Sequence, residues 1–293
     1  MLAAGSRCVA IYAFGLAHTP ETKVVSSMTE PNLSGPSGSE LQVIVVGGGV
    51  VGVCCAYFLA LRGASVTVLE KDEVGRAASY GNAGLISPGH PPINRPGRVS
   101  QALRSMGDRL SPLYIEPRWD PSLVRWLWAF RKFCTDRHVE DAMAALAPLG
   151  HRTTELFDEL VAGEGLDCDY RRSGYLEVFD TEAGLVSGQE EVEVVERHGF
   201  SPEYLDGPAL REREPLLGAG VRGGWSHDEG MVVEPYRFVL EMAERAVARG
   251  ATIRPSTEVR GIRSESGSVT GVLTAEGEYI DSDAVVLATG AYS

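Results

Sequence analysis

From Leu41 to Lys71 the chain reads LQVIVVGGGVVGVCCAYFLALRGASVTVLEK, and its apolar positions change period twice. Val43 to Val46 is an unbroken β-branched run, the pattern of a strand covered on both faces. Beyond the glycines, Ala56, Leu59 and Ala60 recur at helical spacing, which predicts a helix lying on a sheet. Gly63 supplies a helix stop, and Ser65 to Leu69 returns to strand. The same alternation comes back late in the chain. PYRFVLEMAERAVARGATI (235–253) predicts a helix opened by Pro235, capped by Gly250 and running into a strand, with Val239, Met242, Ala243, Ala246 and Val247 on its buried face. Residues 256–290 then predict a meander of three short strands with turns at Ser266-Gly267 and Glu276-Gly277. Asp283 to Ala288 reads as a strand ended by the small-residue turn Thr289-Gly290-Ala291.

The middle of the chain is helical in period over 120–165, with a break expected at Pro148. Leu123, Trp126, Leu127, Phe130 and Cys134 form an apolar stripe, and Arg125, Arg131 and Lys132 lie off it. Such a stripe is a core face with solvated charges or an interfacial membrane helix. Gly174 to Phe179 predicts a strand, with Arg171-Arg172 just before it. A guanidinium pair there is a candidate partner for a substrate carboxylate, or a solvated pair. The acid-rich GQEEVEVVERHG (188–199) predicts an exposed helix. Residues 1–40 carry a short apolar run after Arg7 and a polar stretch ending SGPSGSE, with Met28 as an alternative start. They read as a disordered or mis-extended N-terminus, or as a targeting segment; the run is too short to span a bilayer.

A formal charge of −13 argues against nucleic acid as a partner, because the chain would repel phosphate backbones. Five scattered cysteines show no CxxC spacing and read as reduced, packed thiols in a cytoplasmic protein. Six histidines show no HxH or HExxH pattern, so no metal site is expected, and no GxSxG nucleophile motif occurs.

What remains is the glycine cluster Gly47-Gly48-Gly49-Val50-Val51-Gly52, which fits GxGxxG between a strand and a helix. In such a unit Gly47 permits the tight turn, Gly49 lets the backbone approach a pyrophosphate, and Gly52 allows close helix–strand packing. The helix N-terminus offers free N–H groups and a positive dipole end to the phosphates. Glu70, at the end of the second strand, is placed to accept hydrogen bonds from a ribose diol, and its charge disfavours a 2′-phosphate.

Taken together, VIVVGGGVVGVCCAYFLALRG (43–63), SYGNAGLISPG (79–89), RWLWAF (125–130), SGYLEVF (173–179), LDGPALREREPLL (205–217) and the terminal VVLATGAYS resemble the FAD-dependent D-amino-acid oxidase (DAO) superfamily. Within it the likeness is nearest to the small subunit of bacterial D-amino-acid dehydrogenases, and it covers Leu41 to Ser293. The resemblance implies an α/β fold: a Rossmann-like FAD-binding domain at 41–92 and 235–293, interrupted by an α+β substrate domain at 93–234. It also implies that the chain is an N-terminal fragment whose C-terminal part is missing.

The cofactor implied is FAD. The stretch from Val43 through Gly47, Gly48, Gly49, Val50, Val51 and Gly52 would cradle its ADP half, and Glu70 with Lys71 would lie at the adenosine ribose. Ser79, Asn82, Ala83 and Gly84 would line the way from pyrophosphate to flavin. The backbone of Val259 would meet the adenine, and Ala288, Thr289 and Gly290 would sit against the dinucleotide. His90, just after this loop, is a further candidate near the flavin from its position alone, which the resemblance does not supply. The implied activity is oxidative deamination of D-amino acids to 2-oxo acids and ammonia by hydride transfer to flavin N5. A respiratory-chain electron acceptor and a peripheral contact with the inner membrane go with it. Glycine or sarcosine oxidase, D-hydroxyproline dehydrogenase and an inactive FAD-domain fragment are the alternatives.

Overall fold

The computed structural model describes residues 40–105 and 119–292. The expectations for the N-terminal stretch, Glu40 aside, therefore fall outside the described residues. In chain order the first half holds β1 (Gln42–Val46), α1 (Val50–Leu61), β2 (Ser65–Leu69), β3 (Leu85–Ile86), α2 (Arg98–Ser105), α3 (Pro121–Lys132) and α4 (Asp136–Glu164). The second half holds β4 (Tyr175–Phe179), α5 (Glu182–Arg197), β5 (Glu203–Asp206), α6 (Gly207–Arg213), β6 (Gly223–His227) and β7 (Met231–Val232). It closes with α7 (Pro235–Ala248), β8 (Thr252–Arg254), β9 (Val259–Glu265), β10 (Ser268–Thr274), β11 (Tyr279–Asp281) and β12 (Ala284–Leu287).

These elements form two compact units. Among the described residues one takes 40–84, 160–170 and 233–292, and the other takes the remainder. The chain passes between units at 84–85, 159–160, 170–171 and 232–233, where the sequence reading has two edges, at 92 and 235, and keeps 160–170 with the middle segment.

In the first unit a parallel sheet runs in the order β12-β1-β2-β8. Val45 of β1 and Val68 of β2 are fully buried, as strands covered on both faces require, and Val53 of α1 is fully buried with them. Helix α1 ends in a Schellman turn: Gly63 N–H donates to Ala60 O (2.9 Å) and Ala64 N–H to Leu59 O (3.1 Å). Helix α7 packs against α1. Its N-cap is Glu234, whose carboxylate accepts the Arg237 N–H, with Pro235 in the first turn. Its buried face includes Phe238 as well as Val239, Met242, Ala243 and Ala246, whereas Val247 is half exposed, contrary to the periodicity reading. The Tyr57 hydroxyl and the Arg249 guanidinium both donate to Glu164 Oε1, at 2.5 and 2.7 Å, which ties α1, α7 and the end of α4 together.

Strands β9, β10 and β11 form an antiparallel meander, so residues 256–290 hold four strands where three were expected, the last of them outside the meander. At Ser266 and Gly267 φ is 52° and 83°, the conformation of a two-residue hairpin turn that matches strand twist. Strand β12 leaves the meander and pairs parallel with β1, Ile44 opposite Val285 and Val46 opposite Leu287.

The second unit holds the antiparallel sheet β4-β6-β5 and the strand pair β3-β7. Two helical expectations are corrected here. The helix runs unbroken through Pro148, and the interruption falls earlier, between Lys132 and Asp136. There Thr135 acts as an N-cap: its hydroxyl accepts the His138 N–H (3.2 Å) and its carbonyl the Val139 N–H (3.1 Å). The acid-rich helix is likewise not exposed all round. Helix α5 begins at Glu182, and Gly188, Val192 and Val195 are buried, with Gly188 lying against the Trp225 and Phe179 rings.

Candidate functional site: a dinucleotide cradle

The glycine turn sits between the carboxyl ends of β1 and β12. Gly47 has φ +107°, and a Cβ there would lie 2.4 Å from Ala288 O, so only glycine fits the turn. A Cβ on Gly52 would lie 1.8 Å from Gly47 O, which brings the first turn of α1 directly onto the loop. Thr289 is half-buried beside this turn, and Gly290 is exposed with φ +65°.

Helix α1 therefore starts at the glycine loop with an N-cap, Gly49, that has no side chain to cap it and no acid in its first turn. Val50 and Val51 are exposed there. The Val50 N–H donates to Ser79 Oγ at 3.0 Å, so a hydroxyl from the following loop stands where a phosphate oxygen would be accepted. Gly48 lies along Glu70, its N–H donating to Oε2 at 2.7 Å, while Oε1 accepts the Asp72 N–H at 2.9 Å. These bonds fix the carboxylate, and each oxygen keeps a further lone pair for a ribose hydroxyl. Lys71 is exposed, with Nζ 3.3 Å from Asp72 Oδ2.

The loop bearing the other expected residues is held from within. Asn82 Nδ2 donates to Ala78 O (3.0 Å) and Ser79 O (3.1 Å), and its Oδ1 accepts the Gly84 N–H (2.8 Å). Asn82 thus shapes the backbone that presents Ser79 and the exposed Ala83. Gly84 O accepts the Val233 N–H at 3.0 Å, which anchors the loop to the chain entering α7. Two features escaped the sequence reading. The Gly75 N–H donates to Gly48 O at 3.0 Å, and the Arg76 guanidinium lies over both the Tyr80 and Tyr236 rings, at 4.8 and 5.2 Å. No motif announces the Tyr236 contact, which comes from a residue far along the chain.

Val43 lies in β1, and Val259 opens β9, half-buried against the core cluster that contains Ile44 and Leu69. The structure brings the glycine loop, Glu70, Ser79, Asn82, Gly84 and Ala288 to one end of the parallel sheet. Burial beside Cys55 pushes the Cys54 thiol up to about 12, so within α1 it is a packed neutral group.

Arg171, Arg172 and His90 belong to the second unit. Arg172 faces Asp158 at 3.4 Å. His90 Nδ1 donates to Pro91 O (2.8 Å), and His90 lines a cavity of about 190 Å³ with Leu85, Tyr175, Glu177, Val192 and His227. The His227 ring stacks on Tyr175 at 4.3 Å, and its Nε2 is buried 3.9 Å from Glu177 Oε2.

A glycine loop closed to a Cβ at Gly47 and Gly52, a helix N-terminus free of acids and a fixed carboxylate at the next strand end suit an elongated diphosphate with a ribose diol. The fold and site define a dinucleotide-binding α/β unit. The chain belongs to the FAD dependent oxidoreductase (DAO) family, whose profile matches residues 42–293. It is similar to the D-amino acid dehydrogenase of Methylobacterium nodulans, 34% identical over 261 residues, covering 86% of this chain and 61% of that protein. A D-amino acid dehydrogenase of Cereibacter sphaeroides is also 34% identical, over 258 residues, covering 86% and 59%. Among solved structures, glycine oxidase from Bacillus cereus superposes with a TM-score of 0.62 at 24% identity, covering 86% of this chain and 56% of that one. The chain thus spans about three-fifths of the length of the curated relatives it matches.

Proposed function

We propose that this chain carries the FAD-binding part of a D-amino-acid dehydrogenase. The observation that carries the reading is the cradle itself. The Gly47–Gly52 turn would hold the pyrophosphate at the start of α1, Glu70 the adenosine ribose, and Ser79 to Gly84 the stretch towards the flavin. The adenine would lie along the backbone at Val259, with Ala288, Thr289 and Gly290 closing the other side of the loop, and Lys71 at the rim. The bound flavin supplies the two-electron acceptor for oxidation of the substrate Cα–N bond. The residues of this chain supply binding and orientation: backbone N–H groups for the phosphates and a carboxylate for the diol. The oxidised product, an imino acid, hydrolyses in water to a 2-oxo acid and ammonia.

The relatives are named dehydrogenases, which supports an electron acceptor other than dioxygen, and we assign a respiratory-chain carrier. Among the described residues no helix is long and apolar enough to cross a membrane. We place the contact with such a carrier at the cytoplasmic face of the inner membrane, as a peripheral one.

The test is a substrate panel. Chain loaded with FAD is given D-amino acids, glycine, sarcosine and D-hydroxyproline with an artificial electron-accepting dye. Dye reduction with release of a 2-oxo acid from D-amino acids is expected. Turnover confined to glycine, sarcosine or D-hydroxyproline would replace this reading with a sister amine oxidoreductase.

A further inference from the structure

Three of the four tryptophans in the chain fall within ten residues, Trp119, Trp126 and Trp128, and the structure leaves all three exposed. Trp119 is fully exposed, and Trp126 and Trp128 are 54% and 65% exposed. Helix α3, PSLVRWLWAFRK, has no buried residue, so the apolar stripe of the sequence reading is not a core face among the described residues. Leu123, Leu127 and Phe130 on that stripe are half-buried. The opposite face is organised around Trp128. Val124 and Lys132 lie four residues either side of it, Arg125 and Arg131 three residues either side, and all are exposed neighbours on the helix surface. The Lys132 ammonium sits 5.1 Å from the Trp128 ring centroid. The helix contains three cations and no acid, in a chain whose formal charge is −13. Asp120, the acid just before it, is engaged as the N-cap of Ser122 and Leu123.

We infer that α3 docks on an anionic phospholipid surface, with Trp128 and Val124 entering the headgroup boundary and Arg125, Arg131 and Lys132 pairing with lipid phosphates. Tryptophan settles at the membrane–water interface because its ring is apolar and its N–H remains wet. Flanking cations add attraction to an anionic leaflet, about fivefold in affinity for each one near the surface. Against a strongly acidic chain, a local cluster of cations around exposed aromatic rings complements a negative sheet of headgroups better than it does this chain's own surface. The inference deepens the peripheral contact proposed above, but it is read out by lipid binding and not by turnover.

The full chain is sedimented with vesicles of phosphatidylcholine alone and of phosphatidylcholine with phosphatidylglycerol, some carrying brominated acyl chains. Binding to the anionic vesicles, weakened by salt, is expected, with bromine quenching of tryptophan fluorescence. Trp225 is buried at 3% exposure and serves as an internal unquenched reference. Arg125→Glu with Arg131→Glu lowers binding by at least about 25-fold, and Trp128→Ser removes most of the quenching. Far-UV circular dichroism and FAD uptake, measured on the same variants, report folding and the flavin reading separately. Absence of binding, equal binding to neutral vesicles, or binding indifferent to these substitutions would overturn the inference. So would a self-association that the same substitutions abolish without any vesicle binding. Should the variants unfold, the difference in quenching of the unaltered chain between the two vesicle types decides.

Discussion

Gln42–Leu69 and Pro121–Glu164 both show clean periodicity, yet the first follows its pattern closely, with only Leu59 half-buried where Tyr57 is buried instead, and the second does not. In β1-α1-β2 the turn is dictated by a steric constraint: any Cβ at Gly47 or Gly52 strikes backbone oxygen. The strand register follows from β-branched runs that must be buried on both faces, Val43 against Val66 and Val45 against Val68. In α3–α4 the constraints are softer. A proline in mid-helix costs about 3 kcal/mol, a penalty that packing offsets when the same face is buried before and after it. Val139, Met143, Ala147 and Thr154 form such a face on both sides of Pro148. The interruption goes instead to Thr135, where a hydroxyl cap starts a new helix. Backbone collisions are read locally; helix ends are decided by competition between caps and packing.

The largest effect that tests this contrast is Gly52→Val. A side chain meeting Gly47 O at 1.8 Å cannot be accommodated without displacing the loop. A loss of about 4 kcal/mol or more, with no FAD uptake, is expected by denaturant unfolding and flavin absorbance. A variant of native stability would show that the turn is not the rigid centre of the site.

Met143→Ala comes next, because Met143 is fully buried on the α4 face that spans the proline. A loss of about 2–5 kcal/mol is expected in urea denaturation; a loss under 1 kcal/mol would mean that this face does not offset Pro148.

Glu70→Ala leaves the Gly48 and Asp72 N–H groups without their carboxylate, for a loss of about 1–3 kcal/mol and FAD affinity at least tenfold weaker by fluorescence titration. Glu70→Gln keeps one acceptor oxygen and is expected to fall between. Equal affinities for the three proteins would remove Glu70 from the site.

Pro148→Ala restores a backbone donor inside an exposed stretch of helix and is expected to raise stability by about 1 kcal/mol or more. Were the chain broken at Pro148, the same change would be neutral or harmful.

The smallest effect concerns acid. Glu140 accepts from Arg197 (Nε 3.2 Å, Nη2 2.5 Å) and His198 (Nε2 3.0 Å), and these bonds hold its carboxyl below the usual glutamate range. A depressed carboxyl pKa contributes stability above its unfolded value and loses it as pH falls through the folded one. Melting temperature measured below the ordinary glutamate range therefore falls less steeply with acid in Glu140→Gln. Because this carboxylate is at the surface, the difference is small and shrinks with added salt.

Much of the first unit was legible from the chain. The βαβ unit, the late helix opened by Pro235, the hairpin at Ser266-Gly267 and the strand at Ala284–Leu287 all follow from patterns confined to short windows. Val247 was misread: near the end of α7 it is half exposed, while Phe238, near the start, is buried. The acid-rich helix was misread because glutamates hid a face of only three buried positions, Gly188, Val192 and Val195. At the site, the glycine turn and Glu70 were visible from spacing. The knot made by Asn82 and the packing of Arg76 on Tyr236 depend on loop geometry and on a residue from distant sequence. The exposure of α3 could not be read at all, since an apolar stripe looks the same whether core, lipid or water faces it.

The central claim is that the Gly47–Gly52 turn and Glu70 form a working FAD cradle, and one titration tests it. FAD is added to the purified chain, its fluorescence and visible absorbance are followed, and the mixture is passed through gel filtration. Saturable uptake of one FAD per chain, retained through the column and lost in Gly52→Val, is the result the account predicts. A chain with native circular dichroism that takes up no FAD, or that binds it equally with Val at position 52, would contradict it.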